Sequence, residues 1–163
     1  KSFFRILPKE LPRVMSVGRL DIESEGLLIL TNSPELSNFL ERPKNKIERK
    51  YIVKVSGKIY DNSLESLKNG ITVKGIRYKG LKVRNLTNFE DNNTLEIKIY
   101  EGKNREIRKI LSYLKLTVNI LKRTHYGPFS VGKLNPGGIT EIKDNKLKKY
   151  LNKIDFKDAN NFG

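Results

Sequence analysis

The chain contains no cysteine and a single histidine, His125. Without thiols there is no disulfide framework, thiolate nucleophile or cysteine metal site, and one imidazole cannot by itself build a zinc centre or a Ser-His-Asp triad. Long apolar runs are missing too. None approaches the roughly 20 residues of a bilayer span, and the opening KSFFRILPKE lacks the apolar core of a secretory signal, so the expected location is the cytoplasm. Acidic residues are few beside basic ones, 18 against 33, leaving a net charge of +15 on 163 residues. Self-repulsion on that scale calls for an anionic partner, nucleic acid first, although a Lys- and Asn-rich background of solvated lysines raises the charge as well. Spacing favours the partner. Arg13, Arg19, Arg42, Lys44, Lys46, Arg49, Lys50, Arg105, Arg108, Lys109, Lys122 and Arg123 accompany the same strands and loops, as a phosphate-tracking groove requires.

Hydropathy patterning predicts one domain with mixed elements. Leu27 to Leu30 form an apolar run of core-strand length. Ser33 is placed to cap a short helix with Pro34 at its first position and Leu36, Phe39 and Leu40 on its inner face. Residues 51–57 alternate as a strand. Asn62 and Glu65 have capping-box spacing ahead of Leu64, Leu67 and a terminating Gly70. Residues 71–86 give short strands broken by Gly75 and Gly80, and 94–100 alternate again. From Asn104 the period changes: Ile107, Ile110, Leu111 and Leu114 mark a helix. Strands follow at 117–126 and 129–134, then a last helix carrying Leu147, Tyr150, Leu151 and Ile154. Strands and helices mix without regular βαβ alternation, which predicts an α+β fold on a largely antiparallel sheet. The domain is expected to span 1–155, with 156–163 a flexible tail.

Within this frame GRLDIESEGLLILTN, residues 18–32, sets the carboxylate of Asp21 in a turn bracketed by Gly18 and Gly26, at the mouth of the apolar run. By local physics alone such an Asp reads first as a cap for backbone N–H groups. Arg108 alone reads as a solvated helix charge, and Tyr51 as a strand aromatic of the core. His125 has no dyad partner nearby and reads as a hydrogen-bonded loop residue.

Taken whole, GRLDIESEGLLILTN resembles the signature of the RsuA/RluB/RluE/RluF-type ribosomal RNA pseudouridine synthases. RKYIVKV (49–55), EGKNREIRKI (101–110) and LKRTHYGPFSVGKLNPGG (121–138) resemble the family's later motifs, so the likeness runs from about residue 5 to 142. The resemblance implies that Asp21 is the catalytic residue, that Tyr51 stacks on the target base, and that Arg108 pairs with the Asp, favouring its ionised form. It further implies that Ile107 and Leu121 wall the pocket, while Arg19, Arg49, Lys50, Arg105 and Arg123 contact RNA. The implied reaction is isomerisation of a flipped uridine to pseudouridine, which uses no metal and no other cofactor, in a monomer whose partner is ribosomal RNA. Such enzymes carry an earlier KPxG-like strand and an S4-type RNA-binding domain ahead of this region. Their absence, and the lack of an initiator Met, lead to the expectation that the catalytic domain is N-terminally incomplete. The competing reading is a non-catalytic RNA-binding module with a basic groove. A carboxylate that repels phosphate at the groove's centre argues against it.

Overall fold

The computed structural model describes residue 9 and residues 11–156. The expected extended approach over 1–14 falls largely outside these, as does most of the expected tail. The elements in chain order are β1 (Met15–Val17), β2 (Glu25–Gly26), β3 (Ile29–Thr31), α1 (Pro34–Glu41), β4 (Arg49–Ser56), α2 (Asp61–Ser66), β5 (Ile71–Val73), β6 (Ile76–Tyr78), β7 (Lys82–Asn85), β8 (Asn93–Ile99), α3 (Glu106–Tyr113), β9 (Thr117–Tyr126), β10 (Phe129–Ser130) and α4 (Asp144–Lys153). The main sheet has the order β10-β9-β4-β8-β7, with β2 also on β9. Among the described residues every strand pair is antiparallel except β2 with β9, so the architecture is α+β as the pattern predicts.

Alternation builds the sheet's inner face. Val53, Val55, Leu95, Ile97, Ile99 and Leu121 are buried against Ile107, Ile110 and Leu111 of α3 and Leu64 and Leu67 of the α2 region, forming one core. A second core joins Val17, Leu27, Leu36, Leu40, Ile47, Tyr126, Phe129, Leu151 and Phe156. Helix α1 starts as its sequence dictates: Ser33 Oγ accepts the Leu36 N–H at 3.1 Å, Pro34 occupies the first turn, and the helix stops before Pro43.

Several expectations give way to tertiary structure. The run 27–30 is not one core strand. Leu27 follows β2 and bonds β9 through its N–H on the Arg123 carbonyl, Leu28 lies in no strand, and Ile29 and Leu30 belong to β3, which joins β1; of the four only Leu27 is buried. The Asn62–Glu65 capping box does not form, because both residues lie inside α2 and Tyr60 precedes it without a side-chain cap. Gly70 takes a positive φ of 85° but an extended ψ of 173°, so it turns the chain without a left-handed helical cap. Helix α3 begins at Glu106, after Arg105 in the left-handed conformation (φ 51°), and β10 is two residues long. Phe156, placed in the tail by the sequence, is buried and meets Phe39 edge-on at 5.2 Å between ring centroids.

Two irregularities in the β4–β9 ladder decide which side chains face which way. Lys50 pairs with His125 but Tyr51 with Arg123, leaving Thr124 as an extra residue; Lys54 pairs with Ile120 but Val55 with Val118, leaving Asn119 extra. Each such bulge inverts the facing parity of the residues beyond it. Tyr126 thereby turns inward beside Arg49, and His125 turns to the outer face opposite Lys50. His125 is accordingly a strand residue, with Nδ1 2.9 Å from Thr124 Oγ1, rather than a loop residue. Burial, then the Lys50 ammonium, pulls its pKa down.

Candidate active site

A pocket of about 410 Å³ opens where the 18–24 turn, the inner ends of β4, β8 and β9, and the loop into α3 converge. Asp21 is held by a tight turn in which the Ser24 N–H donates to the Asp21 carbonyl at 2.9 Å. The far side of this turn is anchored at Gly26, where a Cβ would lie 2.1 Å from the Arg123 carbonyl oxygen and where φ is +108°, so only glycine fits. The near side is held by Glu41, which accepts the Gly18 N–H.

Two arginines from the start of α3 face Asp21. Arg105 Nη1 stands 3.5 Å and Arg108 Nε 4.0 Å from Asp21 Oδ2, and both guanidinium groups also approach Glu23 Oε2, at 3.6 and 3.8 Å. Arg108 is fixed more firmly: its Nη2 donates to the Glu23 carbonyl at 3.1 Å and to Ser24 Oγ at 3.4 Å, and its side chain is 13% exposed against 40% for Arg105. Among the described residues its Nε is buried and makes no hydrogen bond. Arg123 has the same property: Nε donates to the Leu27 carbonyl at 3.0 Å, while Nη2 is buried without a hydrogen-bond partner among the described residues. Buried donors left open cost on the order of 1–3 kcal/mol each, and both arginines line the pocket.

Nine of the ten residues picked from the sequence line this pocket: Arg19, Asp21, Arg49, Tyr51, Arg105, Ile107, Arg108, Leu121 and Arg123. Lys50 does not. It alternates with Tyr51 on β4, so it faces the outer side of the sheet and pairs with Glu96 at 3.2 Å. Lys122 faces outward likewise, opposite Ile52. Arg49 lines the pocket but is buried, with Nη1 on the Ile47 carbonyl, Nη2 on the Leu40 carbonyl and Tyr126 Oη, and its guanidinium 4.7 Å from the Tyr126 ring centroid. It braces the pocket wall instead of reaching out to a phosphate.

Three features escaped the sequence reading. Glu23 bridges both arginines. Tyr126 is sandwiched by Arg49 and by Arg123, whose guanidinium lies 5.0 Å from its ring centroid. Glu101 and Glu106 are both buried at the pocket's edge: Glu101 Oε1 accepts the Lys79 N–H at 2.8 Å, and Glu106 Oε1 accepts the Lys103 N–H at 3.1 Å. Burial, with the neighbouring Glu101 carboxylate, pushes Glu106 up to about 7. The available signal was the spacing in EGKNRE, which sets two acids five residues apart at either end of the loop into α3.

The pocket thus combines one partly exposed carboxylate, a fixed guanidinium beside it, open buried donors and an aromatic wall, the equipment of a site for a polar planar ligand attached to an anionic chain. Residues 2–113 match the family model for RNA pseudouridylate synthase, and the chain belongs to that family. It is 43% identical over 141 residues to an uncharacterized RNA pseudouridine synthase of Rickettsia typhi, covering 86% of this chain and 58% of that protein. It is 35% identical over 150 residues to the ribosomal large subunit pseudouridine synthase B of Buchnera aphidicola, covering 90% of this chain and 60% of that protein. The chain therefore spans about three fifths of the length of these relatives. Its fold is similar to that in a crystal structure of a pseudouridylate synthase, with a TM-score of 0.81, 23% identity, and coverage of 90% of this chain and 64% of that one.

Proposed function

We propose that this chain is the catalytic domain of an RsuA/RluB-type enzyme that converts one uridine of structured ribosomal RNA to pseudouridine in the cytoplasm, working as a monomer. The observation that carries the reading is Asp21 set beside Arg105 and Arg108 in a pocket that Tyr51 and Arg123 also line. The reaction breaks the bond from C1′ to N1, rotates the base and joins C1′ to C5. The C5 proton is lost and N1 gains one, so atoms balance without a redox partner.

A base inside a stack cannot reach Asp21, and flipping it out is required. Tyr51, on the inner face between Ile97 and Arg123, offers a ring for it to stack on, worth about 1–3 kcal/mol, with Ile107 and Leu121 completing the apolar wall. Asp21, beside Arg108, acts as the nucleophile or as the base that starts elimination at the ribose. Exposed Arg19 and Arg105 take phosphates at the rim. The resemblance to the relatives' motifs extends this reading to an S4-type domain acting with the present one in target choice.

Asp21→Asn tests it. Pseudouridine formation, read by chemical mapping of ribosomal RNA incubated with the variant, should fall below detection while RNA affinity changes less than about threefold. Turnover persisting in a homogeneous preparation of the variant would remove Asp21 from the mechanism.

A further inference from the structure

The face of the sheet turned away from the pocket is a second basic surface. Register places Lys82 and Arg84 of β7, Lys98 of β8, Lys50 and Lys54 of β4 and Lys122 of β9 on it together, since partners across a ladder share a face. Glu96 ties down two of the six, pairing with Lys50 at 3.2 Å and Arg84 at 3.3 Å, and these contacts lower its pKa against the opposing effect of burial. Lys82 leans over the Tyr100 ring, 5.8 Å from its centroid, while the Tyr100 hydroxyl donates to Glu48. Glu25 of β2 adds one more acid at the β9 edge, opposite Lys122. Lys54, Lys98 and Lys122 have no carboxylate partner among the described residues. Between them lie Ile52 and a 39% exposed Ile120, too small an apolar area to act as a protein-core interface.

An array of cations on strands about 4.8 Å apart, of which Lys54, Lys98 and Lys122 form no ion pair or ring contact among the described residues, is repulsive unless an extended polyanion lies across it. We propose that this outer face binds the sugar–phosphate backbone of double-stranded RNA, so that a structured substrate is gripped on the side of the sheet opposite the reacting uridine. The inference builds on the RNA-modifying reading of the pocket, but it concerns a different surface and makes a separate demand. Only an RNA large enough to pass around the sheet edge can touch both faces.

The probe is a fully paired RNA duplex with no unpaired uridine, titrated against the 163-residue chain and a K54E/K98E/K122E variant over a range of salt. K54Q/K98Q/K122Q serves as a milder second variant, and circular dichroism confirms folding of each. The expected result is a loss of duplex affinity of at least tenfold in the charge-reversed variant, a smaller loss in the Gln variant, and a salt slope (log K against log salt) shallower by about 2–3, as for three lost phosphate contacts. Unchanged affinity and slope in both folded variants would overturn the proposal, and so would full competition of the duplex by a short uridine-containing single strand, which would put the duplex in the pocket. Asp21→Asn keeps the two readings apart: duplex binding by that variant should match the unsubstituted chain whether or not Asp21 proves catalytic.

Discussion

Replacing Glu106 by Gln removes an ionisable group from a buried position and keeps its shape. In the native chain Glu106 Oε1 accepts the Lys103 N–H, Oε2 has no hydrogen-bond partner among the described residues, and Glu101 stands beside it, itself buried. Burial and that neighbour raise its pKa from 4.5 to about 7. The folded chain therefore binds more protons than the unfolded chain between these values, and stability must fall as pH rises through the window. Glu106 costs nothing below about pH 4.5, and its full penalty is reached above pH 7. A shift of this size corresponds to about 3 kcal/mol at most. In a chain of this length that is about 6–12 °C in Tm. The Glu106→Gln side chain would retain the acceptor for Lys103 and carry no charge at any pH. Chemical denaturation of both chains at half-unit steps from about pH 5 to 8.5 measures the difference. His125, the other group titrating in this range, has a lowered pKa and works in the opposite sense, adding stability as pH rises, but it is common to both chains and cancels in their difference. The gap should open in favour of the Gln variant from about pH 5 upward and level off above pH 7. Parallel curves across the whole range would refute the raised pKa of the buried Glu106 carboxyl.

Gly26→Ala sets a Cβ 2.1 Å from the Arg123 carbonyl oxygen at a φ of +108°, so the β2–β9 pairing should open, with a loss above about 2 kcal/mol in denaturant and a fall in turnover as the Asp21 turn loosens; wild-type stability in the variant would show that the turn is anchored elsewhere. Tyr126→Phe deletes a buried hydroxyl that accepts from Arg49 Nη2 at 2.8 Å and donates to the Leu40 carbonyl at 3.0 Å, which should cost about 1–3 kcal/mol by equilibrium unfolding, and a change below about 0.5 kcal/mol would contradict that pairing.

Where burial repeats locally, sequence and structure agree: β4 and β8 alternate, α3 keeps its Ile107, Ile110 and Leu111 stripe, and α1 carries its own cap at Ser33. The site was legible for a different reason. Its residues lie in compact strings, and nine of the ten that were picked share one pocket. What could not be read depends on register between distant strands. A single extra residue at Thr124 decides that Tyr126 faces in and His125 faces out, and nothing in the local pattern of LKRTHYG announces it. Lys50 was misassigned to the groove because its neighbours in sequence belong there. The split of LLIL between two partners has the same origin, since four apolar residues in a row carry no period to say which strand each will join. The burial of Arg49, Glu101 and Glu106 was hidden because each is held in large part by main-chain groups, which every sequence offers equally.

The hydrogen bond from Arg108 to the Glu23 carbonyl joins residues 85 apart in sequence. Asp21 follows Val17, which belongs to one core, and Arg108 sits on a helix packed into the other. Contacts that close such long loops meet the largest chain-entropy penalty and form only when the intervening structure shortens the path between their ends. A chain in which only one core has condensed already carries its full positive charge, and with it the attraction to polyanions, but has not brought carboxylate and guanidinium together. On the proposed chemistry, partly folded molecules can cling to RNA without altering it. On that chemistry, only the completed fold brings the two groups to bear on one ligand.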